Sequence, residues 1–191
     1  MRHIPENTRI LGRKNREEPF PKPPDRSDSG RLAKFFKEAA MAKLDDTDRQ
    51  LLMLLQEDDR QPLAALSENI GVAVSTINDR IKRLVRSGTI SGFHARIAPE
   101  AVGLDLLAFI MVSWSNPKVE ATFLERVKVS PHVLECHHIT GAWNYLLKVR
   151  VGTTRDLERF LNETIKAVDG VERTETLITL STTKETWSVS L

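Results

Sequence analysis

Cysteine is almost absent from this chain. Cys136 is the only one in 191 residues, so no intramolecular disulfide can form, and a reducing compartment is the matching environment. Long apolar runs are missing too. No stretch approaches the roughly 20 residues that a membrane-spanning helix requires. The first residues carry neither an apolar h-region nor a small-residue cleavage site, which predicts a cytoplasmic protein. Strong net charge is also lacking, and a formal value of +2 neither demonstrates nor excludes a nucleic-acid partner. No nucleophile motif, phosphate-binding glycine loop or paired-carboxylate constellation occurs, so a catalytic reading has no starting point.

The charge that is present is unevenly placed. Residues 1–43 hold eleven Lys or Arg against six acids, whereas the rest holds seventeen against twenty. This leader also contains five of the nine prolines, including the cluster Pro19, Pro21, Pro23 and Pro24, and up to Gly30 it shows no helical or strand periodicity. Its composition predicts disorder. Residues 31–43 are helix-prone, with Leu32, Phe35, Phe36 and Ala39 on one side. The leader either adds sequence-independent attraction to phosphates or is a loose extension.

Residues 63–90, LAALSENIGVAVSTINDRIKRLVRSGTI, carry the most pointed pattern. Leu63, Leu66 and Ile70 recur at helical spacing, and Ile77, Ile81, Leu84 and Val85 do so again after a break. Gly71 between them supplies the left-handed conformation that ends one helix and starts a short turn. The two helices therefore make a helix-turn-helix over residues 63–82. Burying the Ile77 face leaves Ser75, Thr76, Asn78, Asp79, Arg80, Lys82, Arg83 and Arg86 as the DNA-facing candidates. Ser75, Thr76, Asn78 and Asp79 lie at the front and suit base edges, while Lys82, Arg83 and Arg86 suit phosphates. Asp79 either accepts from a cytosine amino group or pairs with Lys82 or Arg83 on its own helix, the second being preferred.

Flanking elements complete a small domain over residues 44–98. Residues 44–57 form a helix with Leu44, Leu51, Leu52, Leu54 and Leu55 inward, Asp45 as N-cap and Asp48 at the third helical position. Residues 89–97 alternate apolar and polar around Gly92, which predicts a strand pair, or wing. Residues 99–104 then read as a hinge. Beyond it, residues 106–114 are strand-like, 119–129 helical, 133–140 and 144–151 a hairpin around Gly141 and Ala142, 154–168 helical, and 171–183 alternating. The order βαββαβ over residues 105–191 predicts a ferredoxin-like sandwich, so the fold class is α+β. One sheet with two helices leaves a face to cover. Trp114, Trp143 and Trp187 add to that apolar surface, and self-association is the usual remedy.

Cys136, His137 and His138 invite a metal or catalytic reading. In a strand Cys136 and His138 share a face and His137 points away, so at most two ligands meet and no complete zinc site results. His94 and His132 add nothing at useful spacing. Adjacent strand residues also cannot share a proton as a catalytic pair.

The stretch LDDTDRQLLMLLQEDDR, the helix-turn-helix and SGTISGFHARIAPEAVGL together resemble the N-terminal half of the Lrp/AsnC family, the "feast or famine" transcriptional regulators. ECHHITGAWNYLLKVRV at 135–151 is similar to the family's strand, glycine turn and strand, and the two matches span residues 44–191. The resemblance implies a winged helix-turn-helix reader joined to a domain for amino-acid-linked regulation. That domain would pair sheets into homodimers and build larger assemblies such as tetramers or octamers. Two recognition helices about 34 Å apart would read a pseudo-palindromic site on double-stranded DNA. The resemblance also places an amino-acid effector at Thr140, Gly141, Ala142, Trp143 and Asn144, with no other cofactor. Two departures stand out: Ala73 replaces the serine that usually caps the recognition helix, and Ala142 and Asn144 replace common acids. Gly141 and the Asn144 amide remain to meet an effector. Some tetrapyrrole decarboxylases resemble this family in both halves and supply the alternative reading. Lys82, Arg83 and Arg86 have no evident purpose in such an enzyme.

Overall fold

Asp45 starts the first helix as its spacing predicts. The structure, a computed structural model, describes residues 44–191, so the expectations for residues 1–43 lie outside the described residues. The chain divides into two compact units, one reaching to His94 and including Ser188–Leu191, the other covering Ala95–Trp187.

In the first unit α1 is Asp46–Glu57, α2 Leu63–Ile70 and α3 Val74–Arg86. The Asp45 carboxylate accepts from the Asp48 amide at 2.7 Å, and Asp48 reaches back to the Asp45 amide at 3.3 Å, closing a capping box. Gly71 ends α2 at φ 79°, a conformation costly for any other residue. Ala73 opens α3 with no side-chain cap, as its methyl group dictates. Leu51, Leu66, Ile77, Ile81 and Leu84 are buried together and form the core. Residues 188–191 join this unit instead of the second. Val189 exchanges two backbone hydrogen bonds, of 2.7 and 3.1 Å, with the Gln56 side chain of α1.

Asp48 does more than cap. Its carboxylate is buried, 1 % exposed, and accepts from Arg80 Nη1 at 2.7 Å and from Arg83 Nη2 at 2.5 and 2.6 Å. Arg80 also holds Asp45 at 2.7 Å. Two guanidinium groups of α3 are thus tied to the first turn of α1, and this fixes how α3 is presented.

The expected strand pair at 89–97 is absent, since no strand is formed between Arg86 and Leu106. A short isolated two-strand ribbon lacks the packing that would hold it. Ile90 docks, buried in the core with its amide on the Leu84 carbonyl at 3.0 Å, and Phe93 packs partly buried against the same core. Residues 99–104 are likewise no free hinge. Pro99–Val102 form a 3-10 turn, and both Glu100 and the Leu104 carbonyl accept from Arg150, at 3.1 and 3.3 Å, which ties the segment to the second unit.

That unit contains β1 Leu106–Ser113, α4 Val119–Val129, β2 Val133–His138, β3 Tyr145–Val151, α5 Thr154–Phe160 and β4 Arg173–Ile178. The antiparallel sheet runs β2-β3-β1-β4, the ferredoxin-like order. Alternation puts Ala108, Ile110, Val112, Leu147, Val149 and Val151 against the helices, where they meet Phe123, Leu157 and Phe160. Trp114 continues the same parity and is buried there, stacked on Tyr145 at 5.6 Å, so it does not belong to the outer surface. Trp187 remains largely exposed.

Two element ends differ from expectation. The helix expected to run to Val168 widens after α5 into a π-helical turn, Leu161–Ile165, with Lys166 bonded to the Leu161 carbonyl. The wider turn brings Phe160 and Ile165, five residues apart, into one core. β4 stops at Ile178 because its antiparallel partner β1 begins at Leu106. After Thr179 bonds Leu107 there is no strand left to pair, and Leu180 is 99 % exposed.

On the open face of the sheet Lys148 and Arg150 are buried yet charged. Lys148 pairs with Glu135 at 3.1 Å and with Glu185, while Arg150 meets Glu100. Burial pulls the Lys148 pKa down, but the bonds to Glu185 and Glu135 outweigh it and hold the amine charged.

Two measurements check this fold. Replacing Asp48 by Asn removes the charge that receives both arginines, and the urea unfolding midpoint should fall by the equivalent of about 2 kcal/mol, the scale of hydrogen bonds to a charged group. An unchanged midpoint refutes the bracing role. Tyr145, the one tyrosine of the chain, is buried and donates to Glu120 at 2.6 Å. Burial and that bond push its phenol up to about 12. Phenolate absorbance should therefore rise near pH 12, not near the ordinary value of about 10. Because the folded state holds this proton more tightly, the associated stability is present below about pH 10 and lost as pH rises toward about 12.

Candidate nucleic-acid interface and effector turn

On α3 the buried residues Ile77, Ile81, Leu84 and Val85 occupy one side. Ser75, Asp79, Lys82 and Arg86 recur at i, i+4, i+7 and i+11, which aligns them in a single exposed line on the opposite side. Thr76 is exposed beside this line and Asn78 is half-buried on its other flank. Hydroxyl, carboxylate and two cations therefore follow each other along the outer face, with no element of the described residues bonded over them.

Arg80 and Arg83 are placed differently. Both belong to the flank that faces α1, where Asp45 and Asp48 receive them. The Arg80 guanidinium holds the Asp45 carboxyl below the usual carboxylate range, and Asp45 and Asp48 in turn raise the Arg80 pKa. The Arg80 Nε lies buried without a hydrogen-bond partner among the described residues. Arg83, expected to face a phosphate, is engaged with Asp48. Asp79 consequently does not pair with Arg83, nor does it form an ion pair with Lys82, which corrects the preferred expectation for it. The acid that draws Arg83 away lies 35 residues earlier. Its sole sequence signal was its position in the capping box.

The turn between β2 and β3 lies beside a cavity of about 390 Å³ lined by Gly141, Ala142, Trp143 and Asn144 together with Ser115, Glu172 and Arg173. Thr140 is exposed next to it. Gly141 sits at φ 109°, which suits glycine. Asn144 closes the turn. Its amide donates to the Val112 carbonyl at 2.9 Å, its carbonyl accepts from Ile139 at 3.0 Å, and its side-chain oxygen accepts from the Trp114 amide at 2.8 Å. Only its Nδ2 hydrogens remain for a guest. Glu172 and Arg173, which no motif singled out, enter the same cavity from the start of β4.

The Cys136 region is structural. Cys136 is half-buried on the helix side, where burial pushes its thiol up, away from the reactive thiolate. His138 stacks on Tyr145 at 4.9 Å, and His137 on the other face meets Glu135 at 3.1 Å. Among the described residues no group of three or more His, Cys, Asp or Glu is placed to hold a metal ion, and no helix is long and apolar enough to cross a membrane.

Comparison with known proteins places both units. A winged helix-turn-helix DNA-binding profile matches residues 44–91 and an Lrp/AsnC ligand binding domain profile matches residues 107–189. The HTH-type transcriptional regulator FL11 of Pyrococcus furiosus is 38 % identical over 143 residues, covering 75 % of this chain and 93 % of that protein. A transcriptional regulator of Neisseria meningitidis, solved in complex with L-methionine, superposes with a TM-score of 0.74 at 32 % identity over 78 % of this chain and 97 % of its own. A feast or famine regulatory protein from M. tuberculosis, also complexed with L-methionine, gives 0.71 at 35 % identity over 77 % and 99 %. These relatives are regulators by name and lend the decarboxylase reading no support. With a DNA-binding half and a ligand-binding half matched in the same order, this chain belongs to the Lrp/AsnC family of transcriptional regulators.

Proposed function

We propose that this regulator works as a homodimer, or a tetramer or octamer built from dimers, that reads pseudo-palindromic DNA inside the cell and changes occupancy when an amino acid binds at the β2–β3 turn. The observation that carries the DNA half is the exposed line Ser75, Asp79, Lys82 and Arg86 on α3. Ser75, Thr76, Asn78 and Asp79 face base edges, and Lys82 and Arg86, in the turns that follow, hold phosphates. Arg80 and Arg83 set the angle of the helix through Asp45 and Asp48 and contribute little free charge. Regulation is by linkage: an effector that prefers one assembly state draws the protein toward it, and DNA affinity follows. The L-methionine complexes of two relatives support the effector class. No catalytic step is part of this reading.

Fluorescence anisotropy on genomic fragments, with salt as the variable, tests the division of labour. Lys82→Ala and Arg86→Ala should each weaken binding to every sequence and lower the salt slope by about 0.9, the increment for one phosphate. Arg83→Ala should lower it by clearly less, because that charge is already neutralised by Asp48. Equal slopes for all three variants overturn the assignment. Gly141→Val, which forces a β-branched residue into a left-handed backbone, should abolish the change in DNA affinity caused by amino acids and leave basal affinity intact. A full response in that variant moves the effector site away from the turn.

A further inference from the structure

We infer that the cavity at the turn recognises the zwitterionic end of an α-amino acid through Glu172 and Arg173, the carboxylate taking the ammonium and the guanidinium the carboxylate. This rests on the effector reading above and assigns its chemistry to two residues outside the turn. An α-amino acid asks for a fixed anion and a fixed cation a few ångströms apart, and the turn itself supplies neither, being Thr140, Gly141, Ala142, Trp143 and Asn144. Adjacent residues at the mouth of β4 supply both.

Their surroundings hold them ready. Ser115 donates to Glu172 through its amide at 3.0 Å and its hydroxyl at 2.9 Å, one bond to each carboxylate oxygen. Each oxygen keeps a further lone pair for an incoming ammonium. Arg173 lies over the Trp143 ring at 4.6 Å and forms no ion pair among the described residues, so its planar fork of donors is held by stacking and not by an acid there. The amides of Gly141, Ala142 and Trp143 also donate to no acceptor among the described residues. They offer further donors for a carboxylate.

The larger cavity of this unit, about 880 Å³, makes the contrast. Its two buried cations, Lys148 and Arg150, are already matched by Glu135, Glu185 and Glu100. Arg96 and Asp105 also line it, with Arg96 donating to the Glu185 carbonyl at 2.9 Å, whereas the smaller cavity sets an adjacent cation and carboxylate, not paired with each other, beside the turn.

Calorimetric titration of the full-length protein with each of the twenty L-amino acids identifies a binding amino acid. Its 2-oxo acid, which lacks the ammonium, and its decarboxylated amine are then titrated in parallel. Wild-type protein should bind the amino acid at least tenfold tighter than either analogue. Glu172→Gln should lose that preference over the oxo acid, and Arg173→Met should lose it over the amine, while circular dichroism and DNA binding without effector stay unchanged. If wild-type protein binds an amino acid but neither variant shifts either preference, the assignment to Glu172 and Arg173 is wrong and the effector reading survives. Equal wild-type affinity for all three compounds overturns the assignment without recourse to a variant. Binding of none of the twenty removes the effector reading and this assignment with it.

Discussion

A carboxylate taken out of water needs its charge answered, and in the DNA-reading unit that requirement falls on Asp48. Removal from solvent disfavours the charge unless donors replace the lost water, and here three do so: the Asp45 amide and the guanidinium groups of Arg80 and Arg83. Arg80 and Arg83 are half-solvated, which moderates the Coulomb attraction but not the geometric demand. The first turn of α1 and the middle of α3 cannot rotate independently without orphaning that acid. Apolar packing of Leu51, Leu66 and Ile77 holds the helices together, and Asp48 selects their angle.

The same economy of charge recurs in the second unit with a different result. Lys148 and Arg150 lie under the sheet surface with acids assigned to them, so they contribute to a fixed face. Arg173 stands on an aromatic ring with no acid partner among the described residues. Pairing therefore separates the cations tied to acids within the fold from those with no acid partner among the described residues. On α3 this divides Arg80 and Arg83 from Lys82 and Arg86.

Much of this organisation was legible in the residues. Periodic leucines and isoleucines located all three reader helices, Gly71 and Asp45 located their ends, and alternating apolar residues located the strands, because these signals act between neighbours in sequence. Failures arose where distant partners decide. The role of Arg83 depended on Asp48, and the burial of Trp114 depended on the parity it inherits from β1. The end of β4 was set by where β1 starts, and the wing at 89–97 lacks any partner to form a ladder. Glu172 and Arg173 carried no motif at all, since they become a pair of opposite charges at a cavity only after β4 pairs with β1, whose last residues Val112 and Ser113 bond both the β2–β3 turn and the start of β4.

Gln56 and Val189, joined by two hydrogen bonds across 133 positions, make the reader a discontinuous unit. As the chain is synthesised, α1 emerges well before the backbone it clasps, with the whole βαββαβ sequence in between. Contacts of such separation form late because chain entropy must first be overcome. The clasp between Gln56 and Val189 can therefore close only after the residues of the second unit have been made.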